Sequence, residues 1–216
     1  MPDLQHLLVF VAAGWLLNLT PGPDVLYIVT NALRSGVRAG IAAALGITAG
    51  CFVHVFAAAI GVGALLATSA MAFTLLKWAG AAYLLWIGVR LLFSRAPQQA
   101  PDLQALAAAQ PRLGFAAIVR GGFLTNVLNP KVAIFFLAFV PQFIEPGAGN
   151  TALVFVALGI LFNVSSLPIN LGWAAAAAWM ARRGSVQRAM HWLDRAAGAM
   201  FVAFGLKLAL TDNPSR

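Results

Sequence analysis

Two charged residues sit where their charge is costly. Asp24 and Lys131 each follow directly on a proline, Pro23 and Pro130, within long apolar stretches. A charge at the middle of a bilayer costs about 2.5–3.5 kcal/mol on insertion scales, so such a residue normally faces a partner or a watery cavity. Two chemistries fit the pair. As an ion pair, Asp24 and Lys131 would simply clamp two parts of the chain together. As a binding site, Asp24 would sit near the ammonium of a zwitterion, and Lys131 with nearby helix N-termini near its carboxylate; Asp24 could then also carry a proton. Lys131 has a further reading, since its long stem can snorkel toward an interface.

The residues before each charge explain why a site could form there. In Asn18-Leu19-Thr20-Pro21-Gly22-Pro23-Asp24 and in Asn126-Val127-Leu128-Asn129-Pro130-Lys131, proline interrupts an apolar helix. Proline has no backbone N–H and clashes with the preceding turn, so the helix must stop and restart. In lipid the freed backbone groups would each cost several kcal/mol, and such breaks persist only when buried in protein or lining a cavity. Asn18, Thr20, Asn126 and Asn129 can act as partners and caps. Pro23 and Pro130 fit the first turn of the restarted helices, whose N-termini carry about half a positive charge.

Other polar residues in apolar surroundings have both a packing and a functional reading. His54 shares a helical face with Ile47, Gly50, Ala58 and Gly61, which suits either tight helix packing or a titrating contact to substrate or proton. Asn163, Ser166 and Asn170 form a stripe at i, i+3 and i+7 around Pro168, read first as interhelical glue and second as a cavity wall. Cys51 has no partner cysteine, which excludes a disulfide or thiol relay within the chain. The three histidines lie far apart, so no metal site is expected, and no Ser, His and acid set marks an enzyme.

The elements that must position these residues follow from composition. With 61% hydrophobic and 9% charged residues among 216, the chain is too apolar for a water-soluble domain of this length. A span needs roughly 20 apolar residues. Segments of that kind run from Leu4 to Leu33 (interrupted), Val37 to Ala67, Phe73 to Phe93, Phe115 to Ile144 (interrupted), Ala152 to Ala181 and Ala196 to Leu210. The expected fold is therefore an all-α integral membrane protein of six transmembrane helices, with the first and fourth broken. The start lacks the basic region of a cleavable signal and reads as a retained helix.

A net charge of +8 comes without basic tracts interleaved with aromatics, so nucleic acid is not an expected partner. Topology explains it better. Arg34 and Arg38, Arg90, Arg95, Arg112 and Arg120, and Arg182, Arg183, Arg188 and Arg195 all fall on one side of a six-span arrangement. Lys77, Lys207, Arg216, Asp3, Glu145 and Asp212 fall on the other. The arginine-rich side is then cytoplasmic and both termini lie outside.

Residues 94–113 form an Ala-, Gln- and Pro-rich cytoplasmic linker between one repeat over about 1–93 and a second over about 114–212, within one transporter domain. Ala79-Gly80-Ala81 and Gly88-Val89-Arg90-Leu91 match Ala197-Gly198-Ala199 and Gly205-Leu206-Lys207-Leu208, and the two breaks correspond. Three spans per half is odd, so the second copy must enter the membrane inverted.

Together, the Asn18 to Asp24 element, the Gly-rich second span with His54, the stretch Lys77-Trp78-Ala79-Gly80-Ala81-Ala82-Tyr83-Leu84 and Asn129-Pro130-Lys131 resemble the LysE/RhtB family of bacterial amino-acid exporters over essentially the whole chain. The resemblance implies an inner-membrane secondary transporter that exports amino acids or close derivatives using the proton gradient, with no cofactor. It does not select the amino acid, the coupling stoichiometry or the oligomeric state, and a homo-oligomer remains open. A non-transporting assembly or sensor subunit, or a passive channel, are the competing readings.

Overall fold

The apolar stretch that begins at Leu4 forms helix α1, Leu4–Leu19, and the chain restarts after the Pro21-Gly22-Pro23 element as α2, Pro23–Ser35. This computed structural model describes residues 4–68, 113–144 and 150–180, with single positions of 71–93 and 199–206. One residue, Gly36, joins α2 to the long α3, Val37–Thr68. Gly36 has φ +82° and its N–H bonds Ala32 O. A side chain there would strain the backbone, so glycine makes this one-residue joint possible.

The second break repeats the first. Helix α4, Phe115–Val127, ends at Leu128, and α5, Pro130–Ile134, restarts after the Asn129 cap. The chain continues through a π-helical turn at Phe135–Phe139 and a 3-10 turn at Val140–Phe143. Pro141 accounts for this irregular end, since it cannot donate to the carbonyl of Leu137 and crowds the turn before it. The two helix pairs bend by 53° and 49° at their breaks.

Helix α6, Thr151–Met180, runs on through Pro168. Two stretches, Val37–Gly61 and Thr151–Trp179, are long and apolar enough to cross a membrane, and counting each bent pair as one span makes four among the described residues. At 1.5 Å per residue, the 25 residues of Val37–Gly61 reach about 38 Å, more than a hydrocarbon core of about 30 Å. All described elements are helical. The expected third and sixth spans, the linker 94–113 and the matched repeat ends lie largely outside the described residues.

Glycine brings α3 and α4 together. A Cβ on Gly50 would come within 2.5 Å of Phe123 O, one on Gly122 within 2.6 Å of Ala43 O, and one on Gly46 would collide with Val119 O. The four-residue spacing of Gly46 and Gly50 therefore marks a true close approach of backbones. Contacts at 46 with 119, 50 with 123 and 54 with 126 run in one direction, so the two helices lie side by side in parallel. An apolar cluster of Phe10, Phe135, Phe136, Phe139, Phe143, Phe155 and Phe162 fills the space beyond α5. Most of its ring pairs meet edge-on or tilted, with Phe10 and Phe143 centroids 5.3 Å apart, while Phe135 and Phe139 stack at 5.0 Å.

Candidate functional site at the paired helix breaks

A break proline removes the N–H that the carbonyl four residues earlier needs. For Pro21 that carbonyl belongs to Leu17, and for Pro130 to Asn126. The structure gives both a cationic or titratable partner. Lys131 Nζ donates to Leu17 O at 2.8 Å and to Thr20 O at 3.0 Å. His54 Nε2 lies 2.9 Å from Asn126 O, which also accepts from Asn129 N at 2.8 Å. A carbonyl can only accept, so His54 carries its proton on Nε2 in this contact.

Two further carbonyls of the α1 end are also occupied. Thr20 N and Oγ1 donate to Leu16 O at 2.9 and 2.6 Å, and Trp173 Nε1 donates to Asn18 O at 3.1 Å. Asn18 Nδ2 bonds Gly14 O at 2.7 Å and Ser166 Oγ at 2.9 Å, tying α1 to α6. Thus Lys131, which follows a helix start unfavourable to a cation, places its ammonium against the carbonyl end of α1, where the helix dipole favours it.

Asp24 shows the complementary arrangement. It is the second residue of α2, as Lys131 is the second of α5. Its Oδ2 accepts from Asn126 Nδ2, in the last turn of α4, at 2.8 Å. Each residue after a break therefore reaches the end of the helix before the other break. The Lys131 ammonium is also within electrostatic reach of the Asp24 carboxylate. Asn129 caps α5, its Oδ1 accepting from Lys131 N at 3.0 Å.

Four buried polar atoms here lack a well-formed hydrogen bond: Asp24 Oδ1, Asn126 Oδ1, Asn129 Nδ2, whose amide is aimed at the Asp24 carboxylate, and Asn163 Nδ2, whose amide is aimed at Cys51. Two are acceptors and two are donors. Asn129 and His54 face the same carboxylate as Asn126. Cys51, one helical turn before His54 on α3, connects Asp24 with Asn163 of α6. Unpaired buried groups cost about 1–3 kcal/mol each and are rare in folded chains. Their concentration around one carboxylate marks a place built to be completed by something polar.

The structure thus gathers Asp24, Asn126, Asn129, Lys131, Thr20 and His54 at the crossing of the breaks, with Pro21, Gly22, Pro23 and Pro130 shaping the backbone. Lys131 packs on Gly22, where a Cβ would lie 3.1 Å from Nζ. Asn163, Ser166 and Asn170 are all buried. Ser166 serves as a tie to Asn18, whereas Asn163 turns toward the site. Cys51, set aside in the sequence for want of a partner thiol, lies at the edge of the site; its position three before His54 was the available signal. Tyr27 and Asn31 were passed over, although they stand three and seven residues after Asp24 on one face of α2.

Residues 15–212 match the model of the LysE type translocator family. An uncharacterized membrane protein of Vibrio cholerae is 34% identical over 96% of this chain and 98% of its own length. A homoserine/homoserine lactone efflux protein of Salmonella typhimurium is 32% identical, covering 93% of this chain and 94% of that one. A leucine efflux protein of Klebsiella pneumoniae is 29% identical over 95% of each. No solved structure matches. The match runs through both breaks and everything between them, and it places the chain among transporters rather than enzymes: it belongs to the LysE type translocator family.

Proposed function

We propose that the protein exports amino acids or close derivatives across the bacterial inner membrane, and that the crossing of the two breaks is the substrate site. The observation that carries this reading is the set of buried polar atoms that lack a well-formed hydrogen bond. Asp24 Oδ1 and Asn126 Oδ1 offer acceptors to an ammonium, and Asn129 Nδ2 and Asn163 Nδ2 offer donors to a carboxylate. That is the complement of a zwitterion. The efflux of homoserine and of leucine in the names of the relatives supports an amino-acid substrate.

Export is driven by protons in this reading. Asp24 alternates between a protonated state and one that engages substrate. The membrane potential supplies about 2.3 kcal/mol per charge per 100 mV, enough for tens-fold accumulation outside. The chain crosses the membrane six times as two inverted three-helix repeats, with both termini periplasmic. The reciprocal reach of Asp24 and Lys131 across the two breaks, from equivalent positions, supports the inversion. Lys131 and His54 hold the orphaned carbonyls, and Lys131 adds positive potential on the carboxylate side.

The test is release of preloaded radiolabelled amino acids, homoserine and leucine among them, from vesicles containing the purified protein, with and without an imposed proton gradient. Wild type should release one chemical group of amino acids in a gradient-dependent way, and Asp24→Asn should fold but lose that release. Full release by Asp24→Asn removes Asp24 from the mechanism, and no release by wild type above protein-free vesicles overturns the exporter.

A further inference from the structure

Helix α2 carries a polar face that leads away from the site. Asp24, Tyr27, Asn31 and Arg34 follow one another at intervals of three, four and three, within an arc of about 80° at 100° per residue. Asp24 and Asn31 are buried, and Tyr27 and Arg34 are partly buried. The corresponding positions after the second break, counted from Lys131, are Ile134, Ala138 and Pro141. A polar path therefore leaves the crossing along α2, and an apolar one along α5, where the phenylalanine cluster packs.

Beyond Asp24, two bonds along the α2 face stay within the helix itself. Asn31 Nδ2 donates to Tyr27 O at 2.8 Å and Arg34 Nη2 to Asn31 Oδ1 at 3.1 Å, both within α2. These bonds persist whether or not α2 touches α4. Two bonds cross to α4: Asn126 Nδ2 donates to Asp24 Oδ2 at the site itself, and farther along the face the Tyr27 hydroxyl donates to Ile118 O at 3.0 Å. Tyr27 sits in a notch that exists because residue 121 is glycine, since a Cβ there would collide with the Tyr27 hydroxyl. Ile118 lies inside α4, so its carbonyl can accept this bond on its second lone pair while the helix ladder is kept. Release of Tyr27 then leaves no helical carbonyl without a donor.

We propose that Tyr27 is the latch that closes the substrate site toward the Arg34 end of α2, and that substrate enters between α2 and α4 along the Asp24, Tyr27, Asn31, Arg34 face when the Tyr27 to Ile118 O bond is released. The inference rests on the transporter reading above. It assigns Tyr27 and Gly121 a positioning role: they control access and do not bind substrate.

Cys51 provides the reporter, being the chain's single cysteine, buried and beside the site. The measurement is the rate at which a charged, membrane-impermeant methanethiosulfonate modifies Cys51 in inside-out and right-side-out vesicles. The face bearing Arg34 is identified by labelling a Val37→Cys variant in a Cys51→Ser background, Val37 being exposed. Tyr27→Phe removes one hydrogen bond and should raise the Cys51 rate from the Arg34 face roughly 2- to 12-fold, with the rate from the other face unchanged. Gly121→Ala should act in the same direction, and combining it with Tyr27→Phe should add little.

An unchanged rate in Tyr27→Phe, or an equal rise from both faces, overturns the latch. Amino-acid release by wild type is measured in the same vesicles. Release without a side-specific rise removes the latch and keeps the exporter; a side-specific rise without release removes the exporter and keeps the latch.

Discussion

Replacing Lys131 with methionine keeps an unbranched stem of four heavy atoms and deletes the ammonium. Two contacts are lost, to Leu17 O at 2.8 Å and Thr20 O at 3.0 Å. Hydrogen bonds to charged groups are worth about 1.5–3 kcal/mol each, so the two together hold about 3–6 kcal/mol. Leu17 O has no alternative, because the residue that would donate to it from within the helix is Pro21. For a chain of 150–250 residues each kcal/mol moves the melting temperature by about 2–4 °C. Lys131→Met should therefore melt at least about 6 °C below wild type with no substrate present, as read by intrinsic fluorescence of the purified protein in detergent. Lys131→Arg, which restores a cationic donor, should recover part of the loss. A lysine that snorkels, or one that only meets substrate, would leave the substrate-free protein within about 2 °C of wild type. That result would refute the clamp and return Lys131 to the substrate side of the site.

Two further perturbations test neighbouring parts of the same construction. His54→Leu should destabilise the protein by about 1–3 kcal/mol by leaving Asn126 O and its surroundings short of a donor, whereas His54→Gln, which can still donate, should stay close to wild type in a thermal melt. Gly50→Ala forces a methyl to within 2.5 Å of Phe123 O and should cost about 1–3 kcal/mol. Gly61→Ala, with nothing within 4 Å of the added Cβ, should stay within about 0.5 kcal/mol; equal effects of the two glycine changes would show that the seam between α3 and α4 is not as tight as described.

The reason Asp24 and Lys131 can both remain deep in an apolar chain is that each is answered by the other break. A helix that stops leaves carbonyls, and one that starts leaves N–H groups. At the crossing these opposite needs face one another, and side chains complete them: Lys131 and His54 at carbonyls, Asn129 at a helix start, Asn126 at the Asp24 carboxylate. Binding atoms are then left over, and these have the polarity of an amino acid's two ends.

Much of this was legible in the residues alone. Composition and apolar length pointed to membrane helices, and proline chemistry marked the breaks at Pro21, Pro23 and Pro130, because a missing N–H interrupts the helix ladder, although α6 takes in Pro168 without stopping. The restart of helices at Pro23 and Pro130 and the capping by Asn129 followed from the same local rules. What those rules could not supply was partnership across more than a hundred residues. That Lys131 serves Leu17 and Thr20, that His54 serves Asn126, and that Asn18 meets Ser166 depend on which helices lie side by side. Tyr27 and Cys51 illustrate the limit most clearly. On their own helices they are an ordinary aromatic and a lone thiol, and only the approach of α4 at Gly121 and of α6 at Asn163 gives each a specific neighbour. Local covalent structure fixed where the helices had to break; the packing of the helices decided which atoms would answer the breaks and which would be left to bind.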